Sequence, residues 1–213
     1  QKLRSSLVVL QFAISMFLMV ATFIVYTQLR HMNSRQLGLD AEQVFVLSDA
    51  DKLVGKMDRF KSMVMGNSNI SNISFTSGYP SGFLADWGYH TNGENVVSVD
   101  PLNVFADPSV LDVWGLEIIE GRFFDPNMKS DSMTIVINEQ LQEELGWKEP
   151  IGKVLSRGDG KDFRVIGVVK DFVTRSAKNH GSSLLIRWSS ESTPYANYFA
   201  SIKIKGNINE ALN

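Results

Sequence analysis

The sequence contains no cysteine, only three histidines among 213 residues, and an almost balanced set of charges. The absence of cysteine excludes disulfides, thiolate metal ligands and cysteine nucleophiles. His31, His90 and His180 are scattered, and none has the His-x-x-x-His or His-Glu-x-x-His spacing of a metal site. A formal net charge of −2 gives no electrostatic reason to expect nucleic acid as a partner. We therefore expect neither a metal site nor nucleic-acid binding.

Catalytic and nucleotide-binding motifs are also missing. The chain has no Gly-x-Ser-x-Gly elbow for a serine hydrolase and no Gly-x-x-x-x-Gly-Lys-Ser/Thr loop for ATP. Asp49 and Asp51 lie close together, but the other ligands of a calcium loop do not follow, so a solvated turn is favoured. We expect no catalytic residue, no cofactor and no enzyme activity in this chain.

One long apolar run is present near the start of the chain. No charged residue occurs from Leu7 to Leu29. A helix of that length is roughly 35 Å long, against about 30 Å for the hydrocarbon core of a bilayer. The run is too long for a signal peptide, and a buried helix of a soluble protein seldom reaches this length without a charge. It predicts a transmembrane helix, with residues 1–36 forming this helix and a stalk.

Polar residues within this run need partners that lipid cannot supply. We expect its serines and threonines to bond their own helix backbone, and Gln11 to face another helix. Basic residues flank the run on both sides, so the positive-inside rule is nearly silent. The long domain that follows favours a cytoplasmic N-terminus and a domain outside the cytoplasm.

The rest of the chain mixes strand and helix patterns, which predicts an α+β domain over residues 37–213. Residues 52–65 have apolar residues at helical spacing, and Asn138 stands as an N-cap before a helix at 139–145 that Gly146 ends. Glycines at 158 and 160 predict the turn of a hairpin. The predicted strands are 44–47, 70–75, 96–99, 116–119, 134–137, 152–156, 162–170, 183–188 and 200–205.

Residues 76–95 are punctuated by glycine and proline, which predicts a loop. The loop nevertheless carries four large apolar side chains, Tyr79, Phe83, Leu84 and Trp87. Two interpretations remain open. The loop folds back over the core, or its aromatic side chains form an exposed surface that contacts a partner.

The chain contains an ordered set of short motifs, Leu7–Ser15, Tyr26–Leu29, Leu37–Leu39, Val44–Leu47, Gly121–Phe124, Val136–Glu139, Leu145–Trp147, Pro150–Lys153 and Val165–Phe172. This set resembles the permeases of Bacteroidetes-type ABC transporters in the MacB/FtsX-like family, in which a periplasmic domain follows a transmembrane helix. The resemblance covers nearly the whole chain.

The resemblance implies a permease half in the bacterial inner membrane with its main domain in the periplasm. Its partners would be a separate cytoplasmic ABC ATPase, a second permease half in a homodimer or pseudo-dimer, and a periplasmic protein. It also implies two lobes. Residues 37–76 would start the membrane-proximal lobe, residues 96–205 would form mostly the distal lobe, and the end of the chain would cut the domain short.

The family motif residues are expected to act structurally. Gly121 would allow a tight turn with Phe123 and Phe124 packing back on the sheet, Gly152 and Gly167 would lie where a side chain clashes, and Asp171 would bond backbone amides while Phe172 fills the layer between lobes. The full set is Gly121, Arg122, Phe124, Asn138, Glu139, Gly146, Pro150, Gly152, Gly167, Asp171 and Phe172.

Other functions stay open at this point. An FtsX-type regulator of cell-wall hydrolases would use the same architecture. An extracytoplasmic sensor of a signalling receptor would return through one further span to an output module, and a membrane-anchored binding protein would have no further span. The sequence does not start with methionine, and its last residues resemble the start of a helix. We therefore expect a fragment of a longer protein.

Overall fold

The computed structural model describes residues 2–34, 44–80, 82, 84–93, 95–172, 182–190, 193 and 196–205. It divides into two compact units, residues 1–36 and 37–213. The first unit is helix α1, Lys2–Ser34, and its segment Ser6–Gln28 is long and apolar enough to cross a membrane. The apolar side chains of this segment are exposed around the helix.

Two threonines on α1 bond their own helix, as predicted. Thr22 Oγ1 donates to the carbonyl of Leu18, and Thr27 Oγ1 donates to the carbonyl of Ile24, each at 2.8 Å. These bonds satisfy both hydroxyl donors within the helix, whereas an unpaired polar group in lipid costs several kcal/mol. Helix α1 therefore has two properties of a helix that crosses a bilayer alone. Its surface is apolar on all sides, and its threonine hydroxyls are bonded within the helix.

The second unit is a mixed α/β domain, which confirms the predicted fold class. In the described part of the chain its helices are α2 (Met57–Val64), α3 (Val110–Val113) and α4 (Glu139–Glu144). Its strands are β1 (Val44–Leu47), β2 (Ile70–Thr76), β3 (Ala85–Asp86), β4 (Tyr89–Thr91), β5 (Ser98–Val99), β6 (Leu102–Ala106), β7 (Ile118–Gly121), β8 (Thr134–Asn138), β9 (Val154–Arg157), β10 (Asp162–Val169), β11 (Leu184–Trp188) and β12 (Phe199–Ile204).

The strands follow the order β1-β12-β2-β6-β11-β8-β10-β9-β4-β5, with β3 also on β6 and β7 on β10. Neighbouring strands are antiparallel except for two parallel pairs, β6 with β11 and β8 with β10. Most predicted strands are present within a residue or two. The predicted helix at 52–65 is shorter, because a 3-10 turn at Ala50–Leu53 precedes α2.

Residues 85–106 form one long hairpin, which the sequence did not predict. Ala85 lies opposite Asn103 and Tyr89 opposite Val99, so β3 and β4 pair with β6 and β5 in a single uninterrupted register. The prediction of a loop over 76–95 is therefore wrong for residues 85–91. Gly88 resembles loop punctuation in sequence, but it lies between two strands that keep the same register.

This hairpin closes the sheet on itself. Its first arm pairs through β4 with β9, and its second arm pairs through β6 with β11. Strands β11, β8, β10 and β9 are already joined in that order. The result is a closed six-stranded arrangement, called the barrel below. Closure removes the exposed strand edges that an open sheet would have.

The inside of the barrel is a packed apolar core. Alternate residues of the strands point inward, as expected from the two-residue period of side chains, except that a bulge in β10 shifts the step from Val165 to Val168. The inward residues and the side chains of α4 that cover them are Tyr89, Val99, Ile135, Ile137, Leu141, Leu145, Leu155, Phe163, Val165, Val168 and Leu185. A second core on the outside of β6, β8 and β11 is covered by α3 and by Phe123 and Phe124.

Strands β1, β12 and β2 extend the sheet beyond β6 and form the wing, together with α2. Helix α2 packs Met57 against Ile73, Phe75 and Ile202 in a third core. Strand β12 lies between β1 and β2 and is antiparallel to both. The wing is therefore assembled from the early strands and the last one, whereas the barrel is formed by the chain between them.

Candidate functional site at the two ends of the barrel

One end of the barrel is closed by α4 and fixed by a single asparagine. Asn138 ends β8 and is the N-cap of α4, because its Oδ1 accepts from the amide of Leu141 at 3.1 Å. The same oxygen accepts from the amide of Leu184 at 2.7 Å, while Nδ2 donates to Asp171 Oδ1 at 2.7 Å and to the carbonyl of Ser182 at 3.0 Å. The residue is 2% exposed, and these four bonds use the full capacity of its side chain.

Asp171 joins this end at the point where β10 finishes. Its Oδ1 accepts from the amide of Gln140 at 3.0 Å, which confirms that it bonds a nearby backbone amide. Its own amide donates to Glu139 Oε2 at 2.9 Å. Burial raises the pKa of Asp171 above its ordinary value, and the negative charge of Glu139 adds to this rise. Phe172 is buried beside it, with its ring edge-on to Trp114 at 6.4 Å.

Two glycines permit the close approach of β7 and β10. A Cβ on Gly167 would lie 2.2 Å from the carbonyl oxygen of Arg122, and a Cβ on Gly121 would lie 2.2 Å from that of Ile166. Gly121 also has a φ of +73°, which disfavours any other residue. Gly152 was expected to lie in a similar clash, but a Cβ there meets nothing within 4 Å. A φ of +87° in the turn before β9 is what favours glycine at 152.

Arg122 forms an extensively bonded ion pair in the same region. Its Nη1 and Nη2 reach the two carboxylate oxygens of Asp131 at 2.6 and 2.7 Å, and Asp131 also accepts from the amide of Asp125 at 2.9 Å. These bonds hold the pKa of Asp131 below its ordinary value. The pair fixes the segment of Phe123 and Phe124, whose rings are 4.7 Å apart and buried on the sheet as predicted.

The remaining family motif residues hold the turns next to these groups. The amide of Gly146 donates to the carbonyl of Glu143 at 2.9 Å and ends α4, as expected. Pro150 is buried, and the carbonyl of Pro150 accepts from the amide of Lys153 at 3.1 Å. The motif residues therefore gather in two neighbouring groups, one at the closed end of the barrel and one along β7 and β10.

The four apolar side chains of the predicted aromatic loop do not form one surface in the described structure. Leu84 is 1% exposed, and Tyr79 is half-buried with its ring edge-on to Phe199 at 5.0 Å. Trp87 is 37% exposed and lies on the inward side of the hairpin. Phe83 lies outside the described residues. This packing favours the interpretation of a segment folded over the core.

The other end of the barrel contains a feature that the sequence analysis missed. Arg187 points inward from β11, and its guanidinium lies 4.1 Å from the ring centre of Phe163 and 4.6 Å from that of Phe105. Arg157 points inward from β9 and lies 5.0 Å from the ring centre of Trp87. A charged residue in a short apolar strand is usually taken as solvent-facing. The alternation of Leu185 and Arg187 on one face was the available signal.

This second end, called the open end below, is polar and incompletely bonded. Tyr89 accepts a hydrogen bond from Asn103 Nδ2 at 2.6 Å, and burial raises the pKa of its hydroxyl. Burial lowers the pKa of Arg187, while the adjacent Tyr89 opposes that change. Arg187 Nη1 and Asn103 Oδ1 are both shielded from solvent and have no hydrogen-bond partner. A cavity of about 360 Å³ lies against Phe105 and Arg187.

Neither end has the constellation of a catalytic or metal site in the described part of the chain, where no three acidic, histidine or cysteine side chains are grouped for a metal. What the closed end can do is hold three chain segments in a fixed relation. The open end can present a positive charge that is surrounded by aromatic side chains.

Comparison with known proteins agrees with this architecture. The periplasmic region of MacB from Actinobacillus actinomycetemcomitans superposes with a TM-score of 0.57 at 16% identity, covering 85% of this chain and 83% of that one. The extracellular domain of the noncanonic ABC-type transporter YknZ from Gram-positive bacteria gives 0.52 at 18% identity, covering 79% and 87%. A domain of a putative permease protein from Porphyromonas gingivalis gives 0.51 at 20%, covering 82% and 75%. At these identities the likeness shows the fold.

The family itself is shown by sequence. No curated protein matches the chain significantly. A family model described as the MacB-like periplasmic core domain, however, matches residues 5–209, which include the apolar helix and nearly all of the domain. This match indicates a membrane-anchored protein with an extracytoplasmic domain. The chain belongs to the family of MacB-like periplasmic core domains of ABC transporter permeases.

Proposed function

We propose that this chain is part of a permease subunit whose extracytoplasmic domain couples ATP hydrolysis on a separate cytoplasmic subunit to mechanical work in the periplasm. Helix α1 crosses the bacterial inner membrane and continues as a stalk. The wing belongs to the membrane-proximal lobe, and the barrel makes up most of the distal lobe. The chain itself carries no catalytic residue. Its contribution is to transmit movement.

The observation that carries this proposal is the insertion of the barrel into the wing. The chain enters the barrel after β2 and leaves it before β12, and β2 and β12 are hydrogen-bonded neighbours in the wing. Movement of the wing would therefore reach the barrel along both chain connections. A domain attached by one flexible linker would not transmit a pull or a rotation in this way.

Side-chain contacts stiffen the junction of wing and barrel. Trp114, after α3, donates from Nε1 to Ser201 Oγ of β12 at 3.3 Å. Asp112 of α3 accepts from Asn72 Nδ2 at 2.9 Å, and the carbonyl of Asp112 accepts from Lys203 Nζ at 2.9 Å. Helix α3 thus bonds two strands of the wing while its apolar side packs on the barrel. Packed elements joined in this way move as one body.

A buried carboxylate reinforces the same junction. Asp107 follows β6 and accepts from Ser74 Oγ at 2.9 Å and from the amide of Phe75 at 3.0 Å, both on β2. It also accepts from the amide of Ser109 at 2.8 Å, at the start of α3. The connection between wing and barrel therefore does not depend on the α3 contacts alone.

The partners follow from this role. We propose a cytoplasmic ABC ATPase, a second permease half in a homodimer or pseudo-dimer, and a periplasmic protein or exported molecule that receives the work. Of the four predicted contact residues Tyr79, Phe83, Leu84 and Trp87, Leu84 is buried, and Trp87 is the most exposed of those described and is the proposed contact. The motif residues from Gly121 to Phe172 are proposed to act through the fold and to touch no substrate.

Affinity purification of the full-length protein from its native membrane tests the partner. Co-purification of a P-loop ATPase is expected. Recovery of a bound or fused histidine kinase without an ATPase would contradict the proposal and favour a sensor. The purification can be performed before the transported molecule is identified.

Site-directed labelling tests the coupling. This chain has no cysteine, so a cysteine introduced at exposed Ser98 on the barrel is the only labelling site within it once any cysteines elsewhere in the full-length complex have been replaced. In the reconstituted permease–ATPase complex, spin labels at this position on the two halves are expected to change their separation when ATP is added. An ATPase variant that binds but does not hydrolyse ATP serves as the control.

A second label distinguishes coupling from local change. Met63 on α2 is 70% exposed and reports on the wing. Coupled movement predicts that the distances at positions 63 and 98 change together. A change at position 63 with none at position 98 would mean that movement stops in the wing, and the proposal would be wrong.

A further inference from the structure

We propose that the open end of the barrel is a binding site for a small amphipathic anion, with Arg187 as the group that binds its carboxylate. This inference goes beyond the proposed function, because coupling of movement requires no ligand at this position. The anion would place its oxygens on the guanidinium of Arg187 and its apolar part against the aromatic side chains at the rim.

The position of Arg187 provides the first argument. Its partner across the parallel β6 strand is Phe105, and both side chains point into the barrel. The guanidinium lies over the rings of Phe105 and Phe163, and the hydroxyl of Tyr89 is within hydrogen-bonding reach of it. A guanidinium edge presents paired N–H donors at the spacing of the two oxygens of a carboxylate.

The charge balance provides the second argument. Arg157 is neutralised by Asp159, whose Oδ1 accepts from its Nε at 2.8 Å. No ion pair among the described residues involves Arg187, and its nitrogen Nη1 has no hydrogen-bond partner. The open end therefore carries one positive charge in excess. Burial already lowers the pKa of this arginine, so the protein holds a cation in a place that disfavours it.

The adjoining cavity provides the third argument. Its volume of about 360 Å³ lies within the range of small-molecule sites, about 300–1,000 Å³. Phe105 and Trp188 contribute apolar surface to its lining, and Arg187, Ser132 and Thr193 contribute polar groups. One cation at the edge of a mainly apolar cavity is suited to a ligand that has one charged end and one flat apolar end.

A purely structural role for Arg187 explains these observations less well. A leucine or methionine would fill the same space between Phe105 and Phe163 without an unpaired buried donor. Buried donor atoms without a partner are rare in native proteins, and each one calls for an explanation. A bound oxyanion would balance the charge of the guanidinium that lines the cavity.

Benzoate is a suitable probe because it combines one carboxylate with one flat apolar ring. Equilibrium dialysis of radiolabelled benzoate is performed with the full chain in a nonionic detergent. Saturable binding is expected for the natural sequence. The uncharged analogue benzamide is expected not to bind, since it lacks the second oxygen and the charge. Equal binding of benzamide would show simple partition into an apolar space and would overturn the proposal.

Three variants locate the binding. Arg187→Gln is expected to weaken benzoate binding about tenfold or more, the usual effect of losing a charge-assisted hydrogen bond. Arg187→Lys keeps the charge, loses the paired donors and is expected to bind with intermediate affinity. Arg164→Gln removes the same charge from an exposed position on β10 and is expected to bind within about twofold of the natural chain.

The remaining outcomes are also decisive. Circular dichroism and thermal unfolding establish that each variant is folded. If Arg187→Gln does not fold, Arg187→Lys still tests the proposal. Unchanged affinity in both Arg187 variants, or no saturable binding by the natural chain, would overturn the proposal. Inorganic phosphate at equal concentration is expected to compete only weakly, because it has no apolar part. Strong competition by phosphate would contradict the amphipathic ligand.

Discussion

The two ends of the barrel are formed by the same strands but are closed in opposite ways. At the closed end, α4 covers the apolar interior, and Asn138 uses all of its hydrogen-bonding groups within the protein. At the open end, the interior finishes in Arg187, and one guanidinium nitrogen remains unsatisfied. Nothing in the strands themselves prevents either end of the barrel from being covered by a helix.

This difference assigns stability to the closed end of the barrel and recognition to the open end. Complete hydrogen bonding at the closed end is typical of a position selected for rigidity. Incomplete bonding of a buried cation lowers stability, so its presence at the open end indicates selection for something else. Variants at the two ends should therefore differ in their effect on unfolding. The following predictions measure that difference by equilibrium unfolding of the full chain in a nonionic detergent.

The largest effect is expected from Leu141→Ala at the closed end. Leu141 lies on the inner face of α4 and is fully buried, so its truncation leaves a cavity in the interior of the barrel. The expected loss in the free energy of unfolding is about 3 kcal/mol. Glu143→Ala on the exposed face of the same helix is the control and should change stability little. A loss of similar size in both variants would mean that α4 does not close the barrel.

The second effect is expected from Asn138→Ala. This change removes the N-cap of α4 and leaves the buried amide of Leu184 without its acceptor. The free energy of unfolding should fall by about 2 kcal/mol. Asn95→Ala at an exposed position should leave it almost unchanged. A loss in the free energy of unfolding well below 1 kcal/mol would show that water replaces the asparagine. The closed end would then be more accessible to solvent than its burial indicates.

A smaller effect is expected in the pH dependence of Asp171. Its pKa in the folded protein is raised above the ordinary value of 3.8, so the folded state binds this proton more tightly than the unfolded state does. Ionisation therefore costs stability as pH rises from about 4 through the folded pKa. Asp171→Asn should remove this part of the pH dependence, measured by thermal unfolding between pH 4 and 7. A steeper decline in the variant would contradict the assigned direction.

The smallest effect is expected from Arg187→Met at the open end. Methionine fills similar space, keeps contact with Phe105 and Phe163, and removes an incompletely bonded buried charge. The free energy of unfolding should change by less than about 1 kcal/mol, in either direction. A loss as large as that of Leu141→Ala would mean that Arg187 is a structural residue, and the contrast between the two ends would disappear.

Most of the closed end could be predicted from the sequence, because its signals are local. Asn138 before an amphipathic helix and Gly146 after it predict the limits of α4 from neighbours in the chain. The apolar runs of β8 and β10 likewise predict buried strands, since each is continuous over four or more residues. Gly167 is predictable as a close-packing position, although its actual partner, the carbonyl of Arg122, is distant in sequence.

The open end could not be predicted from the sequence, because it depends on pairing between distant segments. The hairpin of residues 85–106 is interrupted by Gly88 and Pro101, which resemble loop residues, and its uniform register appears only when the two arms are aligned. Without that hairpin the barrel does not close, and Arg187 has no interior to face. Gly152 shows the opposite error, because a backbone angle rather than a neighbouring atom favours glycine there.

The position of β12 in the sheet also determines the order in which the domain forms during synthesis. Strands β1 and β2 lie on either side of a gap that only β12 fills, and β12 begins about 120 residues after β2 ends. At a synthesis rate of about 5–20 residues per second, this delay is on the order of 10 s. All strands of the barrel are synthesised before β12, so the wing, whose strands come first, cannot be completed until the end. Until then the edges of β1 and β2 that β12 later joins are unpaired and can pair with another strand.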